Sequence, residues 1–231
     1  MRATVIEFLG SNCDHDMIHF VKDVFKFETE VVWFTESDLK NPDIVLLPGG
    51  FSYGDYLRPG AMAARTPAME SVREFAKKGG IILGVCNGFQ ILCESGLLPG
   101  ALLRNKTISF ICDYVYLKAE NRETPFTSNV DKILKIPIAH GDGNYFCDDE
   151  TLKKLEGEGR IAFRYVSPDG KVEEKWNFNG AINSIAGIVS ENKRVLGMMP
   201  HPERACEKIL GSEDGKLIME SILSFLERIN G

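Results

Sequence analysis

Short runs of consecutive apolar residues alternate with longer amphipathic stretches through the first part of this 231-residue chain. A run without any polar residue, such as Ile81–Val85, predicts a strand that is buried on both faces. Strands of this kind occur in parallel sheets whose two faces are covered by helices. The other strands predicted in this part are 3–9, 30–34 and 43–47, and the predicted helices are 14–25, 67–77 and 87–94. The alternation predicts an α/β fold with a largely parallel central sheet flanked by helices.

The second half of the chain is richer in alternating strand patterns than in helices. In 110–117, Val115 and Leu117 share one face of the predicted strand with Ile111, and tyrosines occupy the other face. Further strands are predicted at 132–138, 161–166, 185–189 and 195–198, and helix returns only at the end, over 217–226. No repeat, low-complexity tract or linker divides the sequence, so residues 1–231 are predicted to form one domain with an additional β-rich portion in its second half.

Composition and charge exclude several classes of protein. Hydrophobic residues make up 44% of the chain, which is typical of a globular protein. The 27 basic and 33 acidic residues leave a net charge of −6, so no nucleic-acid partner is expected. No apolar run reaches the ~20 residues that span a bilayer, so no membrane partner is expected either. A P-loop and a Gly-x-Gly-x-x-Gly motif are both missing, and we expect no cofactor bound to this chain.

The six cysteines are scattered, without a Cys-x-x-Cys pair or any other spacing typical of a metal site. We therefore expect no metal centre and no disulfide framework, and we place the protein in the reducing cytoplasm. Five of the six are interpreted as small apolar core residues: Cys13, Cys93, Cys112, Cys147 and Cys206.

The sixth, Cys86, lies where a buried strand meets a helix, with Gly84 and Gly88 two residues to either side. This arrangement is typical of a nucleophile elbow, whose sharp turn needs small neighbours and lifts the side chain above the C-terminal edge of the sheet. The N–H groups that begin the helix would favour a thiolate and a developing oxyanion. A packed core cysteine between two glycines is the alternative interpretation.

A second candidate elbow, Gly50-Phe51-Ser52-Tyr53-Gly54, matches the Gly-x-Ser-x-Gly pattern of serine hydrolases. Pro59-Gly60 interrupts the chain soon afterwards, so the helix that such an elbow must open is poorly supported. We therefore interpret 48–50 as a flexible loop at a strand end, whose N–H groups face the same cleft as Cys86.

Of the four histidines, His201 has the context most typical of a catalytic base. It follows the predicted strand 195–198, and Pro202 disfavours helical torsions at His201. In an extended segment His201 and Glu203 point to the same side, so the carboxylate can orient the imidazole toward a thiol. A rigid proline turn beside a solvated glutamate is the alternative interpretation.

The remaining histidines have weaker contexts. His15 and His19 have the i,i+4 spacing of a helix-borne metal pair, but a third ligand is missing nearby, and a pair on a helix face is favoured. His140 follows a predicted strand and can approach the cleft, without a predicted catalytic role.

Three segments together resemble the class I glutamine amidotransferases. They are Pro48-Gly49-Gly50, Gly84-Val85-Cys86-Asn87-Gly88-Phe89-Gln90 and His201-Pro202-Glu203, in this order. The segments 49–61 and 197–204 are similar to the members of that family that serve purine synthesis, and the likeness covers essentially the whole chain. The resemblance implies the flavodoxin-like fold of the family. Two loops depart from the pattern that is usual among these family members. One is 177–181, and the other carries Asp142 at a position where glutamate is commoner.

The resemblance also implies roles for the matched residues. Cys86 would attack the side-chain amide of L-glutamine and form a glutamyl thioester, while His201, oriented by Glu203, would move the protons. The implied substrate-binding residues are Gly50, Phe51, Asn87 and Gln90. Gln90 would line the glutamine pocket. The oxyanion hole would be formed by the N–H group of Asn87 and by that of Gly50 or Phe51, which lie in the glycine-rich loop 48–54.

Partners are implied by the same resemblance. Ammonia would pass to a larger synthetase subunit that uses ATP and Mg²⁺ to convert formylglycinamide ribonucleotide to formylglycinamidine ribonucleotide, and a small third subunit commonly completes such an assembly. Apolar residues in 51–57 are expected at the interface. Three alternatives stay open at this point: a stand-alone cysteine hydrolase or peptidase with the same elbow, an amidotransferase subunit of another pathway, and a non-catalytic regulatory subunit that keeps the fold.

Overall fold

The computed structural model describes residues 1–230, which form a nine-stranded central sheet, a two-stranded sheet and flanking helices. The strands are β1 (Arg2–Glu7), β2 (Glu28–Trp33), β3 (Ile44–Leu47), β4 (Ile81–Val85), β5 (Ala101–Leu103), β6 (Ile111–Ala119), β7 (Leu134–His140), β8 (Asn144–Phe146), β9 (Ile161–Val166), β10 (Ile185–Val189) and β11 (Val195–Met198). The helices are α1 (Asp14–Ile18), which continues as a π-helical segment (His19–Val24), α2 (Pro67–Lys77), α3 (Asn87–Glu94), α4 (Asp149–Gly157) and α5 (Lys216–Asn230). In this part of the chain, none of the helices combines the length and the apolarity that crossing a membrane requires.

The large sheet changes from parallel to antiparallel pairing near its middle. Its strand order is β2-β1-β3-β4-β11-β10-β9-β6-β7. Neighbours are parallel from β2 to β11 and antiparallel from β11 to β7. The predicted parallel sheet and the predicted β-rich portion are therefore two halves of one continuous sheet, joined where β11 pairs with β4.

The apolar strands at the centre of the sheet form the core. Every residue of β3 and β4 is buried, as their unbroken apolar sequences predict. Helix α3 packs against β3, β4 and β11. Its Phe89 is fully buried and stacks on Tyr145 of β8, with ring centroids 5.7 Å apart. Burial of such a side chain contributes about 1.5–3 kcal/mol, and here it holds α3 against both sheets.

Most predicted elements are confirmed, and six of them, α2, α3, β4, β9, β10 and β11, have the predicted limits. The prediction that helix returns only at the end of the chain is wrong, because α4 precedes β9. Leu155 is the one fully buried residue of α4, so the helix leaves almost no apolar periodicity in the sequence. Its start is nevertheless marked by Asp148, whose carboxylate accepts a hydrogen bond from the Thr151 N–H at 2.7 Å.

The interpretation of five cysteines as core residues needs one correction. Cys112 is exposed, because it lies on the face of β6 opposite to the buried Val115 and Leu117. Cys93 is half-buried, and the other three are buried. All six cysteines are free thiols.

Helix α3 approaches β3 so closely that Gly88 has no room for a side chain. A Cβ atom at Gly88 would lie 2.1 Å from the carbonyl oxygen of Leu47, a backbone atom that cannot rotate away. Replacement of glycine by alanine ordinarily stabilises a helix by up to about 1 kcal/mol. We expect Gly88→Ala to lower the free energy of unfolding by about 1–3 kcal/mol instead, because the helix must move off the sheet.

Chemical denaturation measures this free energy, and Gly157→Ala is the matched control. A Cβ atom at Gly157, at the end of α4, would meet no atom within 4 Å, so this variant should keep or slightly raise the stability. A Gly88→Ala protein as stable as the Gly157→Ala protein would contradict the proposed clash.

Candidate active site

The turn between β4 and α3 holds Cys86 in a backbone conformation that is rare for any residue other than glycine. Its torsions are φ 53° and ψ −106°. Such a conformation costs of the order of 1–3 kcal/mol and persists only where its surroundings enforce it. The two flanking glycines are required by contact, since a Cβ atom at Gly84 would lie 2.7 Å from the carbonyl oxygen of Gly88. The predicted elbow is confirmed in its geometry.

The parallel pairing of β4 with β11 brings the predicted base to the same edge of the sheet. Val85 pairs with Met198, and the Cys86 N–H donates to the Met198 carbonyl at 2.8 Å. His201 follows β11 by three residues, and its N–H donates to the carbonyl of Pro137 in β7 at 2.8 Å. Because the carboxyl ends of parallel strands lie together, Cys86 and His201 project from neighbouring positions.

His201 and Glu203 form a buried pair. His201 is extended, with φ −100° and ψ 90°, as the following proline predicts. Its Nδ1 lies 2.6 Å from Glu203 Oε1, and the two side chains are 1% and 0% exposed. The carboxylate thus fixes the ring so that Nε2 points away from it, and Nε2 is buried without a hydrogen-bond partner among residues 1–230. The alternative of a solvated glutamate beside a proline turn is wrong.

The surroundings of His201 favour its protonated form. Burial by itself lowers the pKa of His201, but the Glu203 carboxylate and the sulfurs of Cys86 and Cys13 outweigh it and raise the pKa well above its usual value. His140 behaves in the opposite way, because burial, together with the positive charge of His201, lowers its pKa to about 3. One imidazole is therefore held as a cation beside the thiol, and the other is neutral.

A cavity of about 240 Å³ opens in front of Cys86. It is lined by three of the predicted binding residues, by three charged side chains and by apolar residues of the loop 108–110. The predicted residues are Gly50, Phe51 and Gln90, and the charged ones are Asp55, Arg104 and Asp142. A larger and more open groove of about 860 Å³ beside α2 contains neither cysteine nor histidine. The smaller cavity is therefore the candidate active site, because only this one of the two is lined by a cysteine and a histidine.

The side chain of Asn87 connects segments around this cavity by hydrogen bonds but does not line it. Its Oδ1 accepts a hydrogen bond from the Ser52 N–H at 3.3 Å, and its Nδ2 donates to Gln90 Oε1 at 2.8 Å. Gln90 in turn donates to the Asp142 carbonyl at 2.8 Å. The amide chain links the glycine-rich loop, the start of α3 and the loop after β7. Of Asn87, only the backbone N–H at the start of α3 remains for a ligand.

The glycine-rich loop offers Gly50 rather than Phe51 as a hydrogen-bond donor. The Phe51 N–H already donates to the Gly10 carbonyl at 2.9 Å, whereas the Gly50 N–H has no acceptor among residues 1–230. A Cβ atom at Gly50 would lie 2.7 Å from the backbone nitrogen of Asn12. Glycine is therefore needed at this close approach of two backbones, and Phe51 contributes its ring to the rim of the cavity.

Sequence reasoning missed the charged lining of the cavity. Burial, together with the Asp142 carboxylate, raises the pKa of Asp55 to about 6. Asp55 lies in the segment 49–61 and Asp142 in the loop after β7. Both segments carry the family resemblance, but no role was predicted for either residue. Arg104 follows β5, a strand of three residues that leaves no pattern in the sequence. His140 lines the cavity, with its Nδ1 3.1 Å from Asn105 Oδ1, and the carbonyl of the neighbouring Ala139 accepts a hydrogen bond from the Cys86 thiol at 3.6 Å.

The other residues considered as catalytic or metal-binding candidates, Ser52, His15 and His19, do not line the cavity. Ser52 is buried in a 3₁₀ turn and does not line the cavity, so no serine elbow is formed. His15 is exposed, with its side chain 91% accessible, and His19 contacts Asp23 and Glu207 at 3.0 Å each. These contacts agree with a pair on a helix face rather than a metal site.

A thiol raised on a strand-to-helix turn, with a histidine and a glutamate delivered by the neighbouring parallel strand, is the arrangement of the class I glutamine amidotransferases. The family model described as a CobB/CobQ-like glutamine amidotransferase domain matches residues 1–217. The chain belongs to this family.

Several relatives of about half-identical sequence carry the same name. Phosphoribosylformylglycinamidine synthase subunit PurQ of Rhodopseudomonas palustris is 52% identical over an alignment of 231 positions that covers 99% of this chain and 99% of the relative. The subunit of the same name from Aquifex aeolicus is 50% identical over 226 residues, 97% of this chain and all of the relative. A chain of the solved structure of PurLQS from Thermotoga maritima superposes with a TM-score of 0.86 at 44% identity, covering 97% of this chain and 98% of that chain.

The contact between Glu203 and His201 generates a prediction for the reactivity of the thiol. Glu203→Gln removes the charge that raises the pKa of His201, so less imidazolium should stand beside the Cys86 sulfur to activate it. We expect alkylation of Cys86 by iodoacetamide near neutral pH to slow about tenfold or more. Mass spectrometry of the Cys86 peptide over time measures this rate.

Glu207→Gln is the matched control, because Glu207 is an exposed glutamate that contacts His19 on the surface. It should leave the alkylation rate unchanged. Equal rates in both variants would show that the carboxylate of Glu203 does not act on the thiol.

Proposed function

We propose that this chain hydrolyses L-glutamine to glutamate and ammonia with Cys86, His201 and Glu203, and that it delivers the ammonia for the synthesis of formylglycinamidine ribonucleotide. The observation that carries the proposal is the strained Cys86 at the end of a cavity, beside a histidine held in place by a buried carboxylate. The pathway is supported by the relatives named phosphoribosylformylglycinamidine synthase subunit PurQ, which match this chain over its length.

The chemistry begins with the thiolate of Cys86. Its sulfur attacks the carboxamide carbon of glutamine, and the N–H groups of Gly50 and Asn87 stabilise the oxyanion that develops. His201 gives its Nε2 proton to the nitrogen as the C–N bond breaks, so ammonia leaves and a glutamyl thioester remains. Neutral His201 then takes a proton from water, which attacks the thioester carbon. The C–S bond then breaks, which leaves the Cys86 thiolate beside the imidazolium formed with the water proton. The new carboxyl group releases its proton to solvent, and glutamate leaves.

The charged lining of the cavity fits the remaining part of the substrate. Glutamine carries an α-ammonium and an α-carboxylate at the end opposite to its amide. With the amide at Cys86, the ammonium would lie between Asp55 and Asp142, and the carboxylate would meet Arg104. Gln90, which lines the same cavity, adds an amide contact. Two acidic side chains and one basic side chain in one small cavity are what an amino acid zwitterion requires.

A synthetase subunit would cover the mouth of this cavity. Five large apolar residues at or near the rim are exposed, with accessible fractions from 45% to 86%: Phe51, Tyr56, Leu57, Ile108 and Phe110. The rings of Phe51 and Phe110 lie 6.3 Å apart at the entrance. An apolar patch of this kind is typical of a protein interface, and closing the entrance would keep ammonia from solvent.

We assign the covering partner to the larger synthetase subunit, with a small third subunit completing the assembly. The similar chain in the solved PurLQS structure supports this composition. ATP and Mg²⁺ would then be bound by the synthetase, and this chain would need no cofactor. A reducing cytoplasm is the expected location, because Cys86 must remain a free thiol, as all six cysteines are here.

Glutamine hydrolysis is favoured over the other classes that the sequence left open. A regulatory subunit would not need a strained Cys86 or a buried carboxylate behind His201. A stand-alone hydrolase or peptidase would not need the zwitterion-sized cavity with its charged lining, nor would it explain the name shared by the full-length relatives.

A diazo-ketone analogue of glutamine tests the nucleophile and the substrate class together. We expect a single adduct on Cys86, located by mass spectrometry, with more labelling when the synthetase is present. Adducts spread over several cysteines, or none on Cys86 in either condition, would contradict the assignment.

Replacement of the nucleophile separates the two activities of the assembly. Cys86→Ala should lower glutamine-dependent synthesis by about 10³-fold or more, while ammonia-dependent synthesis by the complex persists. Product formation is measured with each nitrogen donor in turn. The retained ammonia-dependent activity serves as the control for folding and assembly, and retained use of glutamine would refute the role of Cys86.

The raised pKa of Asp55 predicts a pH-dependent affinity for glutamine. Below about pH 6 the carboxyl becomes protonated and no longer attracts the α-ammonium, so KM for glutamine should rise as the pH falls through this value. Asp55→Asn should raise KM about tenfold at higher pH and remove this pH dependence. Asp38→Asn, at an exposed carboxylate, is the control and should keep the wild-type KM profile.

A further inference from the structure

Cys13, interpreted from the sequence as a core residue, lies against the His201–Glu203 pair. It is 4% exposed and precedes α1. Its sulfur, a ring nitrogen of His201 and a carboxylate oxygen of Glu203 all lie within 4.8 Å of one another. The cluster brings a second thiol to the imidazole, in addition to Cys86.

The approach of Cys13 to His201 depends on a glycine between them. A Cβ atom at Gly49 would lie 2.8 Å from Cε1 of His201 and 3.0 Å from Sγ of Cys13. The Gly49 carbonyl also accepts the Cys13 N–H at 3.1 Å, which fixes the cysteine in this place. The backbone of the glycine-rich loop therefore positions the sulfur and leaves it open to the ring.

Arg204 gives Cys13 a cationic partner. Its Nη2 donates to the Cys13 sulfur at 3.1 Å, and its Nε donates to Asp16 Oδ2 at 2.8 Å. The guanidinium therefore holds the Cys13 sulfur in place beside the imidazole. It also disfavours a metal ion at the cluster, because a cation would have to displace or tolerate the positive charge of Arg204.

Cys13 does not have the surroundings of a nucleophile. It does not line the cavity in front of Cys86, and it has no strained turn to raise it toward a substrate. Cys13 contacts His201 instead, and it can therefore act on the reaction through the imidazole that protonates the leaving ammonia.

We propose that Cys13, held by Arg204, is a positioning residue. It keeps the His201 imidazole in the orientation from which Nε2 can protonate the departing ammonia. The proposal rests on the function proposed above. The groups that face His201 are the anionic or acidic Glu203, Cys86 and Cys13, the neutral His140, and Arg204 behind Cys13. Loss of the Cys13 sulfur would remove one of the groups that raise the pKa of His201.

The pH profile of Cys86 alkylation by iodoacetamide tests this role in the full chain without any glutamine. The alkaline limb of this profile reports the pH at which His201 loses its proton. With Cys13→Ala we expect this limb to move to lower pH by about 0.5 pH units or more, because the Cys13 sulfur is one of the groups that raise the pKa of His201. Cys13→Ser should behave in the same way, because it restores most of the volume but not the sulfur.

Turnover by the assembled complex is the second readout. Both variants should lower kcat for glutamine about threefold to tenfold while changing KM less than twofold, because Cys13 does not touch the substrate. Arg204→Gln should move the alkaline limb in the same direction, and Cys13→Ala added to it should cause no further shift, since the two residues act as one unit. Cys147→Ala, at a buried cysteine outside the cluster, should leave both readouts unchanged.

An alkaline limb that stays in place in Cys13→Ala and Cys13→Ser would overturn the proposal, even if both proteins lose stability, because a packing role alone does not move a titration. An alkaline limb that moves to higher pH would overturn it as well. Wild-type protein that fails to label at Cys86 with the diazo-ketone would instead refute the proposed function, so the two failures are distinguishable.

Discussion

The pairing of β4 with β11 is the interaction on which the rest of the site depends. Because the two strands run parallel, their carboxyl ends meet, and Cys86 and His201 leave the sheet side by side. The hydrogen bond from Cys86 N–H to the Met198 carbonyl continues the ladder into the turn itself. β11 is also the strand at which the sheet becomes antiparallel, so β10, β9, β6 and β7 extend from the same junction and supply the Pro137 carbonyl that anchors His201.

Unfavourable local features are concentrated where the chemistry would occur. Cys86 has a strained backbone, His201 Nε2 and Glu203 Oε2 are buried without partners among residues 1–230, and Asp55 is a partly buried carboxyl with a raised pKa. Each feature costs stability, and each leaves a group free to react or to bind. The fully buried strands β3 and β4 and the packing of α3 supply the stabilisation that allows these costs to persist.

The glycine-rich loop connects the site to the surface of the molecule. Gly49 leaves the space in which His201 and Cys13 approach each other, Gly50 has an N–H without an acceptor among residues 1–230, and Phe51 lies on the rim. The same segment continues to the exposed Tyr56 and Leu57. A partner that covers this rim would therefore contact the segment that shapes the oxyanion donors, which is a direct physical link between assembly and chemistry.

The sequence by itself determined the elements whose signals are local: the apolar strands, the amphipathic α2 and α3, the elbow at Cys86, and the extended His201–Glu203 pair. Its motifs also identified the family. Only the tertiary structure decided which loops meet. The proximity of Cys13 to His201, of Asp55 to Asp142, and of Arg104 to the cavity depends on chain segments that are distant in sequence, and periodicity carries no information about such contacts. α4 was missed for the complementary reason, since a helix that buries little leaves little pattern to find.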